Sequence, residues 1–139
     1  AEQAEHVELD ADFSSRTVRR IDQSIAMGAL FTAHQLGAKA IVALTASGST
    51  ALWMSRHRID IPIYALTPSL ATQRRMALIR NVRPLLMDES DDRDVALAQA
   101  ETHLKKRGIV DTGDVYAITC GEPMGSPGGS NMLKICRAG

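Results

Sequence analysis

At 139 residues the chain has room for one compact domain with its own core. Its sixteen basic and sixteen acidic side chains cancel, so no net field draws it to nucleic acid or to a membrane surface. With 45% apolar residues it is composed like a globular protein, its apolar runs are too short to span a bilayer, and its polar, acidic start, Ala1-Glu2-Gln3-Ala4-Glu5-His6, does not read as a signal peptide.

Residues 1–13 read as a lead-in or linker, and 14–139 as the domain. Ser14 or Ser15 is placed to cap a helix whose apolar face is Val18, Ile21, Ile25, Ala29, Thr32 and Leu36. Gly37 ends that helix. The run Ala40-Ile41-Val42-Ala43-Leu44 predicts a buried strand, and a short helix is expected over 49–57. Ile61 to Leu66 predicts a second strand, and Thr67-Pro68-Ser69 opens a helix running to Ile79. Val82 to Met87 is a third strand, which Pro84 places at a sheet edge. The charged turn from Asp88 to Asp94 leads into a helix over 91–107, with acid at its start and base at its end. Val115 to Cys120 is a fourth strand, and Met132 to Cys136 a fifth. The loop between these two is too short for a helical crossover, so they pair antiparallel. The order βαβαβαββ predicts a three-layer α/β sandwich around a five-stranded, mostly parallel sheet with an antiparallel final strand.

The strand–turn–helix junction Thr45-Ala46-Ser47-Gly48-Ser49-Thr50 is the strongest candidate for chemistry. Backbone N–H groups at a helix start converge on one point, hydroxyls surround it, and Gly48 permits close approach, so a phosphate suits it. The same residues also suit a plain serine cap. Strand ends in open α/β sheets share one rim, which brings in Thr67, Ser69 and the glycine-rich loop from Gly121 to Asn131, although that loop also suits a long hairpin connection. The carboxylates of Asp88, Glu89, Asp91, Asp92 and Asp94 lack calcium-loop spacing and read as a helix cap. His6, His34, His57 and His103 lack zinc spacing, so no metal ligand is assigned. There is no nucleophile elbow and no P-loop lysine. Trp53 is expected to pack helix on sheet; Arg56, Arg58, Arg74 and Arg75 read first as solvated, though any of them could supply charge to a phosphate or to an inter-subunit contact. Cys120 and Cys136 lack CxxC spacing and read as reduced thiols of a cytoplasmic protein.

Four stretches together resemble the carboxy-terminal domain of the pyruvate kinases: Ala40–Ser55 (AIVALTASGSTALWMS), Ile61–Thr67 (IPIYALT), Gly113–Thr119 (GDVYAIT), and the glycine loop into Ser130-Asn131-Met132. The helix Arg16–Gly37 also fits the family's lead helix, so the resemblance runs from about residue 14 to the end. It implies a regulatory domain that binds an allosteric effector and helps to build a tetramer. The family's catalytic barrel, with its magnesium and potassium sites, has no counterpart in these residues, so no catalytic residue and no cofactor is assigned to the chain. Carried over by position, Thr45, Ala46, Ser47, Gly48, Ser49 and Thr50 would hold an effector phosphate. Gly121, Glu122, Met124, Gly125, Ser126 and Gly128 would form the effector loop, with Glu122 and Ser126 facing sugar hydroxyls.

Three positions depart from bisphosphate-activated members. Ser49 stands where many carry arginine or lysine, and Glu89 and Ala96 stand where a tryptophan and an arginine can hold a second phosphate. Each lost charge-assisted contact is worth about 1.5–3 kcal/mol. The resemblance therefore implies a sugar monophosphate or nucleotide monophosphate effector, or a weak response, rather than a bisphosphate. The alternatives are a stand-alone α/β enzyme or binding protein acting on a small phosphorylated metabolite, with Glu122 as its base, and a structural domain with an empty nest. A carboxylate beside a phosphate is repelled, which weighs against the enzyme.

Overall fold

The computed structural model describes residues 21–121 and 129–139. Five strands form one sheet: β1 (Ala40–Leu44), β2 (Ile63–Thr67), β3 (Val82–Leu86), β4 (Val115–Gly121) and β5 (Ser130–Arg137). Their spatial order is β3-β2-β1-β4-β5, with every neighbouring pair parallel except β4 and β5. Among the described residues four helices lie on it: α1 (Ile21–Leu36), α2 (Ser49–Ser55), α3 (Leu70–Met76) and α4 (Arg93–Lys106). This is the sandwich expected from the sequence.

Handedness decides which helix covers which face. The chain steps outward from β1 to β2 to β3, then turns back past β1 to β4. Crossovers between parallel strands are right-handed, so reversing direction moves the connecting helix to the other face. Accordingly the crossover helices α2 and α3 share one core with Ile41, Ala43, Ile63 and Ala117, which α1 joins from before β1, and among the described helices α4 packs on the other, with Val42, Leu44, Leu66 and Ile118. The alternation along β1 places Ile41 and Ala43 on the first face and Ala40, Val42 and Leu44 on the second. All five residues of β1 are buried, as a central parallel strand requires.

Helix α1 packs differently from expectation. Its buried residues are Asp22, Ala26, Ala29, Leu30 and Ala33, while Ile21 and Leu36 are about half exposed. Of the expected face Ala29 is buried and Ile25 and Thr32 are partly so, while Ala26, Leu30 and Ala33 complete the seam. The end of α1 is as expected: Gly37 has φ 62°, and Ala38 N donates to Ala33 O at 2.9 Å. Val18 and the capping serines Ser14 and Ser15 lie outside the described residues.

Helices α2 and α3 are shorter than the sequence suggests. Ser69 caps α3, its Oγ accepting from Thr72 N at 3.1 Å. The helix then loosens: Leu78 N and Ile79 N donate to Arg75 O and Met76 O, three residues back. Asn81, at φ 63°, turns the chain into β3. Strand β3 is an edge strand, where Pro84 costs no hydrogen bond on the open side. Strand β5 begins earlier than expected, at Ser130.

Candidate functional site

The sheet order reverses beside β1, whose neighbours β2 and β4 connect in opposite directions. At such a switch point the loops leaving adjacent strands diverge and leave a crevice. Here the crevice is a cleft of about 390 Å³, walled by Thr45 and Ala46 after β1, Pro68 after β2, the turn from Asp88 to Asp91 after β3, Gly121, and Gly129 with Ser130. Its floor is apolar, from Leu44, Leu66 and Met87.

The turn from Thr45 to Thr50 is held by its own hydroxyls. Gly48 N donates to Thr45 Oγ1 at 2.7 Å, and Ser49 N makes a longer bond, 3.4 Å, to Ser47 Oγ. A hydroxyl that accepts an amide still has its own hydrogen to give, so Thr45 and Ser47 each keep a hydrogen for a further acceptor. Ser49 and Thr50 have spent theirs. Ser49 Oγ donates to Asp22 Oδ2 at 3.3 Å, and the buried Thr50 Oγ1 donates to Ser130 Oγ at 2.7 Å. Ser130 in turn keeps a hydrogen and lines the cleft. Thr119, in register with Ala43, is wholly buried, and its Oγ1 has no partner among the described residues.

Helix α3 closes over the turn from outside. Thr72 Oγ1 donates to Ala46 O at 2.7 Å, and Arg75 Nη2 donates to Ser47 O at 3.1 Å and to Thr72 Oγ1 at 3.1 Å. Arg75 is therefore not merely solvated: its guanidinium is docked on the turn. Gly48 adopts φ 85°, which an L side chain rarely tolerates, and Met76 fills the space where a side chain would stand.

The structure therefore divides the residues singled out from the sequence. Thr45, Ala46 and Gly121 line the cleft; Ser47, Gly48, Ser49 and Thr50 follow directly, Gly48 as the N-cap and Ser49 and Thr50 in the first turn of α2, and are not among the lining residues. Glu122, Met124, Gly125, Ser126 and Gly128 lie outside the described residues. The acidic turn does more than cap. Asp92 alone does that, accepting from Asp94 N at 2.9 Å and Val95 N at 3.2 Å, while Asp88, Glu89 and Asp91 line the cleft. Sequence reasoning placed Ser130 on the rim without giving it a role, and missed Asp22. A serine directly after Gly128-Gly129 at a strand start was the available signal for Ser130. Nothing local marked Asp22.

Trp53 packs against the core of α1 to α3 as expected, and Arg56 lies over its ring at 4.6 Å. Cys120 and Cys136 stand as thiols, the first buried and the second half-buried. Among the described residues no group of three His, Cys, Asp or Glu side chains is placed to hold a metal ion. No helix among them is long and apolar enough to cross a membrane.

The model of the pyruvate kinase alpha/beta domain matches residues 23–136. The chain belongs to the pyruvate kinase family. A pyruvate kinase of Staphylococcus epidermidis is 39% identical over 112 residues, which cover 81% of this chain and 19% of that protein. One from Buchnera aphidicola is 36% identical over 118 residues, 84% of this chain and 25% of that protein. The crystal structure of a pyruvate kinase from Cryptosporidium parvum superposes with a TM-score of 0.76 at 25% identity, over 86% of this chain and 23% of that one. The chain thus spans between about a fifth and a quarter of the length of these relatives. It matches their α/β domain, so the doubly covered sheet with its antiparallel β4–β5 pair is the family's fold.

Proposed function

We propose that this chain is the allosteric, effector-binding and oligomerisation domain of a pyruvate kinase, the glycolytic enzyme that transfers phosphate from phosphoenolpyruvate to ADP. It senses and does not catalyse. Catalysis, together with magnesium and potassium, belongs to a barrel elsewhere in the full-length cytoplasmic enzyme, which assembles as a tetramer. Neither nucleic acid nor a membrane is a partner.

One observation carries the reading: the cleft at the switch point is walled by Thr45 and Ala46, directly before the start of α2. In this reading the effector phosphate rests against Thr45, Ala46, Ser47, Gly48, Ser49 and Thr50. The hydroxyls of Thr45 and Ser47 donate to it, and Arg75 lends positive charge from outside. Gly121, Glu122, Met124, Gly125, Ser126 and Gly128 make the opposing wall. The effector is a sugar or nucleotide monophosphate. It acts by binding one quaternary arrangement better than the other, which shifts the population toward it.

Isothermal titration of the chain with glucose 6-phosphate and with fructose 1,6-bisphosphate tests this. The monophosphate is expected to bind, and Ser47→Ala to weaken it by about tenfold, the loss of one hydrogen bond to a charged group. Tighter binding of the bisphosphate, or indifference to Ser47→Ala, contradicts the assignment.

A further inference from the structure

We infer that helix α3 is a latch on the cleft wall: α3 and the turn from Ala46 to Gly48 open together, as one unit, without the sheet unfolding. The latch is a property of the wall and does not depend on what the cleft binds.

A helix of seven residues is marginal in water by itself, so α3 depends on what it packs against. Its buried residues are Thr72 and Met76, and both meet the turn. Thr72 Oγ1 donates to Ala46 O at 2.7 Å, and Met76 fills the space that a side chain on Gly48 would take. A third contact comes from the exposed Arg75, whose Nη2 donates to Ser47 O and to Thr72 Oγ1, each at 3.1 Å. Positions 72, 75 and 76 share one face of the helix. Ala46, Ser47 and Gly48 are thus each met by a different residue of α3. Past Met76 the winding tightens to three-residue bonds and the helix ends.

The dependence is mutual. The turn closes its own amides, Gly48 N on Thr45 Oγ1 and Ser49 N on Ser47 Oγ, but it gives the carbonyls of Ala46 and Ser47 to α3. Ala46 lines the cleft, and so does Pro68, just before the Ser69 cap of α3. The walls after β1 and β2 are therefore tied to each other through α3. Coupling of this kind is reciprocal: a change on α3 is felt at the cleft wall, and a change at the wall is felt on α3.

Native-state amide hydrogen exchange on the 139-residue chain tests the latch. Gly48 N reports the turn, and Ala77 N, which donates to Gln73 O, reports α3. Val42 and Ile118, paired in register on β1 and β4, report the sheet. Gly48 and Ala77 are expected to show the same opening equilibrium, more open than that of the sheet. Arg75→Met is expected to raise exchange at both by one common factor, roughly tenfold, as the loss of a hydrogen bond from a charged donor does. Arg74→Met, the same change one position away, is expected to leave both alone. In a Thr72→Val background Arg75→Met is expected to act more weakly, because Arg75 and Thr72 share a hydrogen bond. Different opening equilibria at Gly48 and Ala77, a response confined to one of them, an equal response to Arg74→Met, or an undiminished Arg75→Met effect beside Thr72→Val overturns the latch. So does opening of both amides only together with the sheet.

Discussion

Gly48 is the residue on which the turn depends. At φ 85° it occupies the left-handed region, and a methyl built on it would stand 2.6 Å from Met76 Sδ and Cε. The methionine end is flexible, but Met76 is buried against the core of α1 to α3 and has little room to withdraw. Backbone strain and displacement of Met76 add, so Gly48→Ala should destabilise the fold by about 1–3 kcal/mol, read as a lower urea midpoint. An unchanged midpoint would mean that the turn relaxes freely. The residues from Thr45 to Thr50 were legible in the sequence, because strand, glycine and hydroxyls are contiguous there. Their partners were not. Asp22 reaches Ser49 across 27 positions and Ser130 reaches Thr50 across 80, and local pattern has no access to such separations.

Among the elements, α4 is joined to β4 and to the chain end by one carboxylate. Glu101 Oε1 accepts from Tyr116 OH at 2.7 Å, and Glu101 Oε2 accepts from Gly139 N at 3.3 Å. Lys105 Nζ and Thr112 Oγ1 both donate to Gly139 O. Burial first, and then the hydrogen bond to Glu101, push the Tyr116 phenol above its usual 10.0. Burial also raises the Cys136 thiol, opposite Tyr116 on β5, above its usual 9.0. A raised folded pKa means that the unfolded chain loses its proton first. The stability is therefore full below the unfolded values and declines as pH climbs past them. Melting temperature should hold steady up to about pH 9 and fall above it. Tyr116→Phe should melt lower at neutral pH but show a shallower alkaline fall. A parallel fall in both proteins contradicts this assignment to Tyr116. Element identity and order were readable from periodicity, but the buried face of α1 was not. The face expected from the sequence held Ala29 but also Ile21 and Leu36, which are half exposed, whereas Ala26, Leu30 and Ala33 are buried.

At the scale of the whole molecule, topology puts the cleft where it is. The reversal beside β1 opens the crevice, and the same reversal sends α4 to the opposite face. That α4 face carries the turn from Asp88 to Asp91 to the cleft wall. The sandwich and its antiparallel last strand could be foreseen, since apolar runs alternate with amphipathic stretches and the last connection is too short for a helix. The double role of the acidic turn could not. A run of carboxylates before a helix looks the same whether one of them caps or several also line a cleft. The central claim is that an anion is gripped where β1 gives way to α2. The most direct measurement is the amide spectrum of the isotopically labelled chain, titrated with glucose 6-phosphate. The N–H signals of Thr45, Ala46, Ser47, Gly48 and Ser49 should move together and saturate. Binding that leaves those five signals in place, or no binding at all, contradicts the claim.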